Sequence, residues 1–155
     1  MKSFLAATAT IALTVFSSPA YAGWENAEWG MTPEQALAVV PGLRPVRFGM
    51  SLSDARKRSV RDAEFHGIAV EAEYFYSQAG LAFIRFDVPY ERCQDLVDGL
   101  VAQHGRPTDV SDQVILKLIT WVDTEAQNRM VLMHSPAGIC DLRLKPISDD
   151  EQDDD

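Results

Sequence analysis

Apolar and polar positions alternate over residues 67–77, GIAVEAEYFYS, so Ile68, Val70, Ala72, Tyr74 and Tyr76 share one side of an extended strand. After a short QAG turn, residues 81–88, LAFIRFDV, are apolar on nearly both sides, as a central strand is, and the two segments predict a β-hairpin. The period then changes. In residues 90–107 Cys93, Leu96, Val97, Leu100 and Val101 recur at helical spacing, giving one core-facing stripe that Gly105 and Pro107 end. Three more strands are predicted at 113–124, 129–135 and 139–147, joined by connections short enough for antiparallel neighbours.

Nearer the N-terminus, Thr32, Pro33 and Gln35 form a helix start with a Thr-x-x-Gln capping box, and Pro41 and Gly42 stop the helix, predicted at 33–40. The opening of this element, Trp29-Gly30-Met31-Thr32, is echoed at Phe48-Gly49-Met50-Ser51, which predicts a second short helix at 52–59. Short helices, a hairpin, a long helix and a meander add up to an α+β fold. The expected form is two layers, an antiparallel sheet of about five strands with one long and one or two short helices packed on one face.

Residues 1–22 read as a signal peptide, with Lys2, an apolar run at 4–16 and the small-x-small ending Ala20-Tyr21-Ala22. Cleavage after Ala22 is expected to release a periplasmic chain with one domain at 23–148, and the apolar run is too short to span a bilayer. No cysteine stands at the cleavage site, so no lipid anchor is expected, and no later segment is apolar enough for a transmembrane helix. Removing Lys2 with the leader leaves 13 of the 14 bases against all 23 acids. That balance argues against nucleic acid as a partner. Six of the acids lie in residues 149–155, read as a disordered, solvated tail.

Cys93 starts the helical stripe and Cys140 shares a strand side with Leu142 and Leu144, so both face one interface, and an oxidising compartment predicts a disulfide between them. The alternative is two buried free thiols. His66, His104 and His134 show no zinc-binding spacing; no metal and no cofactor is expected. There is no nucleophile elbow, P-loop or dinucleotide fingerprint. Six bases, Arg44, Arg47, Arg56, Lys57, Arg58 and Arg61, fall within 18 residues. They are a candidate binding patch for an anionic protein or envelope component, read alternatively as a solvated face or as a seat for the acidic tail.

The helix start WGMTPEQALAV resembles that of small exported proteins of the SmpA/OmlA (BamE-like) kind. The hairpin, the helix ending HGRP and a terminal meander carrying Trp121 are similar to the wider β-lactamase-inhibitor-protein-like group. The resemblance implies a two-layer α+β fold and a role in binding other proteins without catalysis. The function expected is that of a soluble periplasmic, non-catalytic binding or adaptor protein, with a place in envelope maintenance. A hydrolase or enzyme-inhibitor-like protein is the alternative.

Overall fold

The computed structural model describes residues 23–147. The leader expected at 1–22 and the acidic run at 149–155 lie outside the described residues. In chain order the elements are β1 (Gly23–Trp24), β2 (Ala27–Glu28), α1 (Pro33–Val39), β3 (Arg44–Pro45), β4 (Ser51–Leu52), β5 (Ala55–Phe65), β6 (Ile68–Ser77) and β7 (Gly80–Asp87). A 3-10 turn, Tyr90–Arg92, leads into α2 (Cys93–His104), and β8 (Asp109–Gln113), β9 (Leu116–Asp123), β10 (Asn128–Ser135) and β11 (Ile139–Pro146) follow.

The α+β expectation is corrected. Strands take 53% of the described residues and helices 18%, so the sheet sets the architecture. Instead of about five strands there are nine in one sheet, ordered β3-β5-β6-β7-β11-β10-β9-β8 with β4 also on β5. Every pairing is antiparallel. Two local facts account for most of the difference. Residues 52–59, expected as a helix, turn at Ser53, where φ is +53°, and then open the eleven-residue strand β5. Residues 113–124, expected as one strand, break at Val114 and Ile115 into the hairpin β8–β9.

The echoed Gly-Met pair has a common explanation that is not helix initiation. In both copies the methionine carbonyl accepts from a neighbouring backbone: Met31 from Leu81 at 2.8 Å and Met50 from Lys57 at 3.0 Å. Both glycines lie where two backbones approach closely, and Gly30 also takes φ +83°. A Cβ on Gly49 would meet the Lys57 carbonyl at 1.7 Å, and the Gly30 carbonyl would stand 2.1 Å from a Cβ on Gly80. Only the first copy continues into a helix, with the capping box in place: Gln35 N donates to Thr32 Oγ1 at 3.3 Å and Thr32 N to Gln35 Oε1 at 2.8 Å.

The core lies on one side of the sheet. Tyr74, Ile84, Phe86, Trp121, Leu132 and Leu142 meet Ala36 and Val40 of the α1 end and Cys93, Leu96 and Leu100 of α2. Trp121 Nε1 donates to the Gly105 carbonyl at 3.2 Å, which satisfies its buried polar atom at the end of α2. The predicted disulfide is present. It joins Cys93 in the first turn of α2 to Cys140 on β11, with a Cα–Cα distance of 5.9 Å. The other side of the sheet carries none of this cluster.

Candidate interaction surface

Two β-bulges decide what the opposite side, here called the open face, displays. Between Lys57 and Ser59 the β5–β6 register shifts, so Arg58 is the extra residue. The shift turns Lys57 to the open face opposite Phe75, while Ser59 and Arg61 point into the core side opposite Tyr74 and Ala72. A second shift, between Phe75 and Tyr76, lets Leu81 join the core while Phe83 stays on the open face. Phe75 and Phe83 stack there at 4.5 Å.

Cross-strand register sorts the charges of this face into rows. Asp62, Glu71, Asp87 and Asp141 stand side by side on β5, β6, β7 and β11. The next row holds Glu73, Arg85 and Arg143. The row after that holds Lys57, Phe75 and Phe83, and beyond it on β11 and β10 Lys145 faces Arg129. The face is therefore acidic at one end, and basic and aromatic at the other.

Arg85 and Arg143 sit directly opposite each other, an arrangement that two like charges resist. Two carboxylates hold it. Glu73, whose side chain is 4% exposed, takes Lys57 Nζ at 2.6 Å and Arg85 Nε at 2.7 Å. Asp141 lies 3.6 Å from Arg85 Nε and 3.5 Å from Arg143 Nε. Burial pushes the Asp141 carboxyl above its ordinary value, against the pull of Arg85 and Arg143. Burial, and then Arg129, lowers Lys145 from the usual lysine range. Arg143 also lies over the Phe83 ring, 5.9 Å from its centroid. Lys57, Arg85, Arg143 and Lys145 thus gather around the carboxylates of Glu73 and Asp141 in the basic part of the face, with Arg129 opposite Lys145. Met50 reaches this region, its Sδ 3.9 Å from Arg85, beside Phe48, which is 92% exposed. At the far edge of the sheet the β8–β9 turn shows Val114 and Ile115 to solvent.

The six bases named from sequence do not lie together on one helix face. Arg44, Arg47, Arg56 and Arg58 are exposed along the β3–β5 edge, where Arg44 pairs with Asp62 at 3.0 Å and Arg56 donates to the Gly49 carbonyl. Lys57 belongs to the open-face network. Arg61 is 8% exposed on the core side, paired with Glu25 and set 4.6 Å over the Trp24 ring. Its neighbour Tyr74 is pushed up to about 12, chiefly by burial. Arg85, Arg129, Arg143 and Lys145 were not singled out from sequence. Their signal was only the outward alternation of Asp141, Arg143 and Lys145 opposite an apolar strand side.

The core side has a polar cavity of about 420 Å³ between the β5–β6 turn, the end of α2 and the β9–β10 turn, floored by Trp24, Phe65, Met130 and Leu144. His66 occupies this turn at φ +50°, and Gly99 of α2 admits it: a Cβ there would stand 3.0 Å from His66 Nδ1. His104 Nδ1 lies 3.6 Å from Asp123 Oδ2. Burial, and then His104, lowers His66 below its ordinary value. The lining contains no serine, threonine or cysteine, and its titratable groups are Glu64, His66, His104 and Asp123. Among the described residues no group of three or more His, Cys, Asp or Glu could hold a metal ion, and no helix is long and apolar enough to cross a membrane.

No family model and no curated protein matches the chain. Among solved structures it is similar to a DUF4309 family protein (YjgB) from Bacillus subtilis, at 15% identity and a TM-score of 0.41, over 67% of this chain and 72% of that one.

Proposed function

We propose that this chain is an exported, non-catalytic binding protein of the bacterial envelope, and that it carries its partner on the open face of the sheet. The observation behind this reading is the cluster of Lys57, Arg85, Arg143 and Lys145 around the stacked Phe75–Phe83 pair, with the exposed Phe48 and Met50 at its margin. Charged groups held in place by Glu73 and Asp141 do not reorganise on binding, so a partner presenting carboxylates around an apolar side chain meets a preformed surface. The leader-like sequence at 1–22, the Cys93–Cys140 disulfide and the resemblance to small exported binding proteins support the periplasm as its compartment.

A photo-crosslinking residue at Val131, opposite Arg143 on the open face, compared with one at Ala38 on α1, tests the assignment in cells. Adducts with one envelope protein from Val131 alone are expected, and Lys145→Glu should abolish them. Equal adducts from Ala38 would refute the assignment. A turnover of ester or peptide substrates lost on a single substitution at His104 or Asp123 would replace it with the hydrolase reading.

A further inference from the structure

We propose that the free edge of β8 joins two copies of this chain, strand against strand, in a two-fold symmetric dimer. The inference is independent of the open-face reading and rests on other residues.

The two edges of the large sheet are finished differently. At the β5 end pairing is cut short. β3 and β4 are two residues each, Pro45 has no N–H to offer, the register shifts at Arg58, and Arg44, Arg47, Arg56 and Arg58 stand exposed along the edge. Short strands, proline, bulges and repeated charge keep one sheet edge from pairing with another. At the opposite end β8 runs for five residues, Asp109–Gln113, without proline, glycine, a basic residue or a register shift. It pairs with β9 on one side, and no described strand lies on the other.

The hairpin determines which groups this edge offers. Val114 and Ile115 make a two-residue turn, so Gln113 and Leu116 close it as a hydrogen-bonded pair. Alternation then bonds Ser111 and Asp109 to β9 and aims the N–H and C=O of Val110 and Asp112 outward.

Few symmetric antiparallel registers join outward groups to outward groups. Asp112 opposite the partner's Asp112 brings two carboxylates face to face and is excluded. Val110 opposite the partner's Val110 leaves Asp112 facing Thr108, whose N–H is already given to the Thr120 carbonyl at 2.8 Å. Val110 opposite the partner's Asp112 bonds every outward N–H and C=O of both strands. It also sets Ser111 opposite the partner's Ser111, and Asp109 opposite an amide, the partner's Gln113. No like charges are then directly opposed.

The same register gives the turn a purpose. Two-residue turns ordinarily hold Asn, Asp or Gly, whereas this one holds two exposed β-branched residues, Val114 and Ile115. In the pair they extend over the partner's Thr108 and Pro107, and the exposed Val110, opposite the core residue Ile119, is covered as well. Symmetry repeats this cover in both copies. One strand and one turn per copy make a small contact, so the dimer is weak and reversible. Its axis crosses the sheet at Ser111 and leaves both open faces on one side of a continuous sheet.

Sedimentation of the intact protein over a concentration series needs no substitution. The mass should rise from one chain to two, most readily at raised salt, which screens Asp109 and Asp112 of the two copies from each other. Ser111→Lys opposes two ammonium groups and should weaken association by about tenfold or more with the melting temperature unmoved. Cysteines read the register. Residues opposite in a non-hydrogen-bonded pair have Cα atoms ~4.5 Å apart, within disulfide reach. Ser111→Cys should therefore cross-link to itself on oxidation, and Gln113→Cys should not. Cys93 and Cys140 are already bonded to each other and do not compete. One-chain mass at every concentration and salt, or Gln113→Cys linking as fast as Ser111→Cys, would overturn the proposal. So would Ser111→Cys adducts in cells formed only with a different envelope protein, which would assign the edge to a foreign strand.

Discussion

The two faces of one sheet have been built by opposite rules. On the core side, period-2 alternation delivers tyrosine, phenylalanine, tryptophan and leucine to a cluster closed by two helices and stapled by Cys93–Cys140. On the open face the same strands deliver lysine, arginine and carboxylates, with one aromatic pair among them. A buried charge network here stands in for a second hydrophobic layer while leaving its surface available. Glu73 is nearly as inaccessible as the core, yet its partners Lys57 and Arg85 keep part of their surface in solvent.

Truncating one residue on each face gives the largest contrast. Trp121→Ala removes a fully packed side chain and should cost about 4 to 5 kcal/mol in chemical denaturation. Val131→Ala, opposite Arg143 on the open face, should cost about 1 kcal/mol. Equal losses would erase the distinction between the faces. Next, replacing both Cys93 and Cys140 by alanine opens a loop of 47 residues and should lower stability by about 4 kcal/mol, read from the same denaturation curves.

On the open face, Glu73→Gln leaves Lys57 and Arg85 without their shared counter-charge and should cost about 3 kcal/mol, far more than an exposed ion pair such as Arg44–Asp62. A loss below 1 kcal/mol would mean that the network is merely solvated. The smallest effect concerns His66. Its folded pKa lies below 6.5, so as pH falls through 6.5 the unfolded chain takes up a proton that the folded one refuses, and stability drops until the folded pKa is passed. His66→Asn, which keeps a residue tolerant of positive φ, should flatten the stability profile between pH 7 and 5.

Strands with a clean apolar side were legible in the sequence. β6 and β7 fall within a residue of their expected bounds, α2 buries Cys93, Leu96 and Leu100 of the expected stripe, and the Cys93–Cys140 pairing follows from their shared interface. β5 was hidden because its core side holds Ser59 and Arg61, whose burial depends on Tyr76, Glu25 and Trp24 from elsewhere in the chain. The bulge at Arg58 also breaks its alternation. The β8–β9 break was hidden because two exposed apolar residues, Val114 and Ile115, make the turn. The open-face network was invisible for a related reason. It unites four strands in register, and register is set by bulges that composition does not announce.

Binding at the open face and binding at the basic β3–β5 edge are told apart by one chemical-shift map. Isotope-labelled protein is titrated with the carboxylate-rich peptide SDDEQDDD at low salt. Shifts confined to Phe83, Arg85, Arg129, Arg143 and Lys145 and their strand neighbours are expected. Shifts centred on Arg44, Arg47, Arg56 and Arg58, with the open face unmoved, would contradict it.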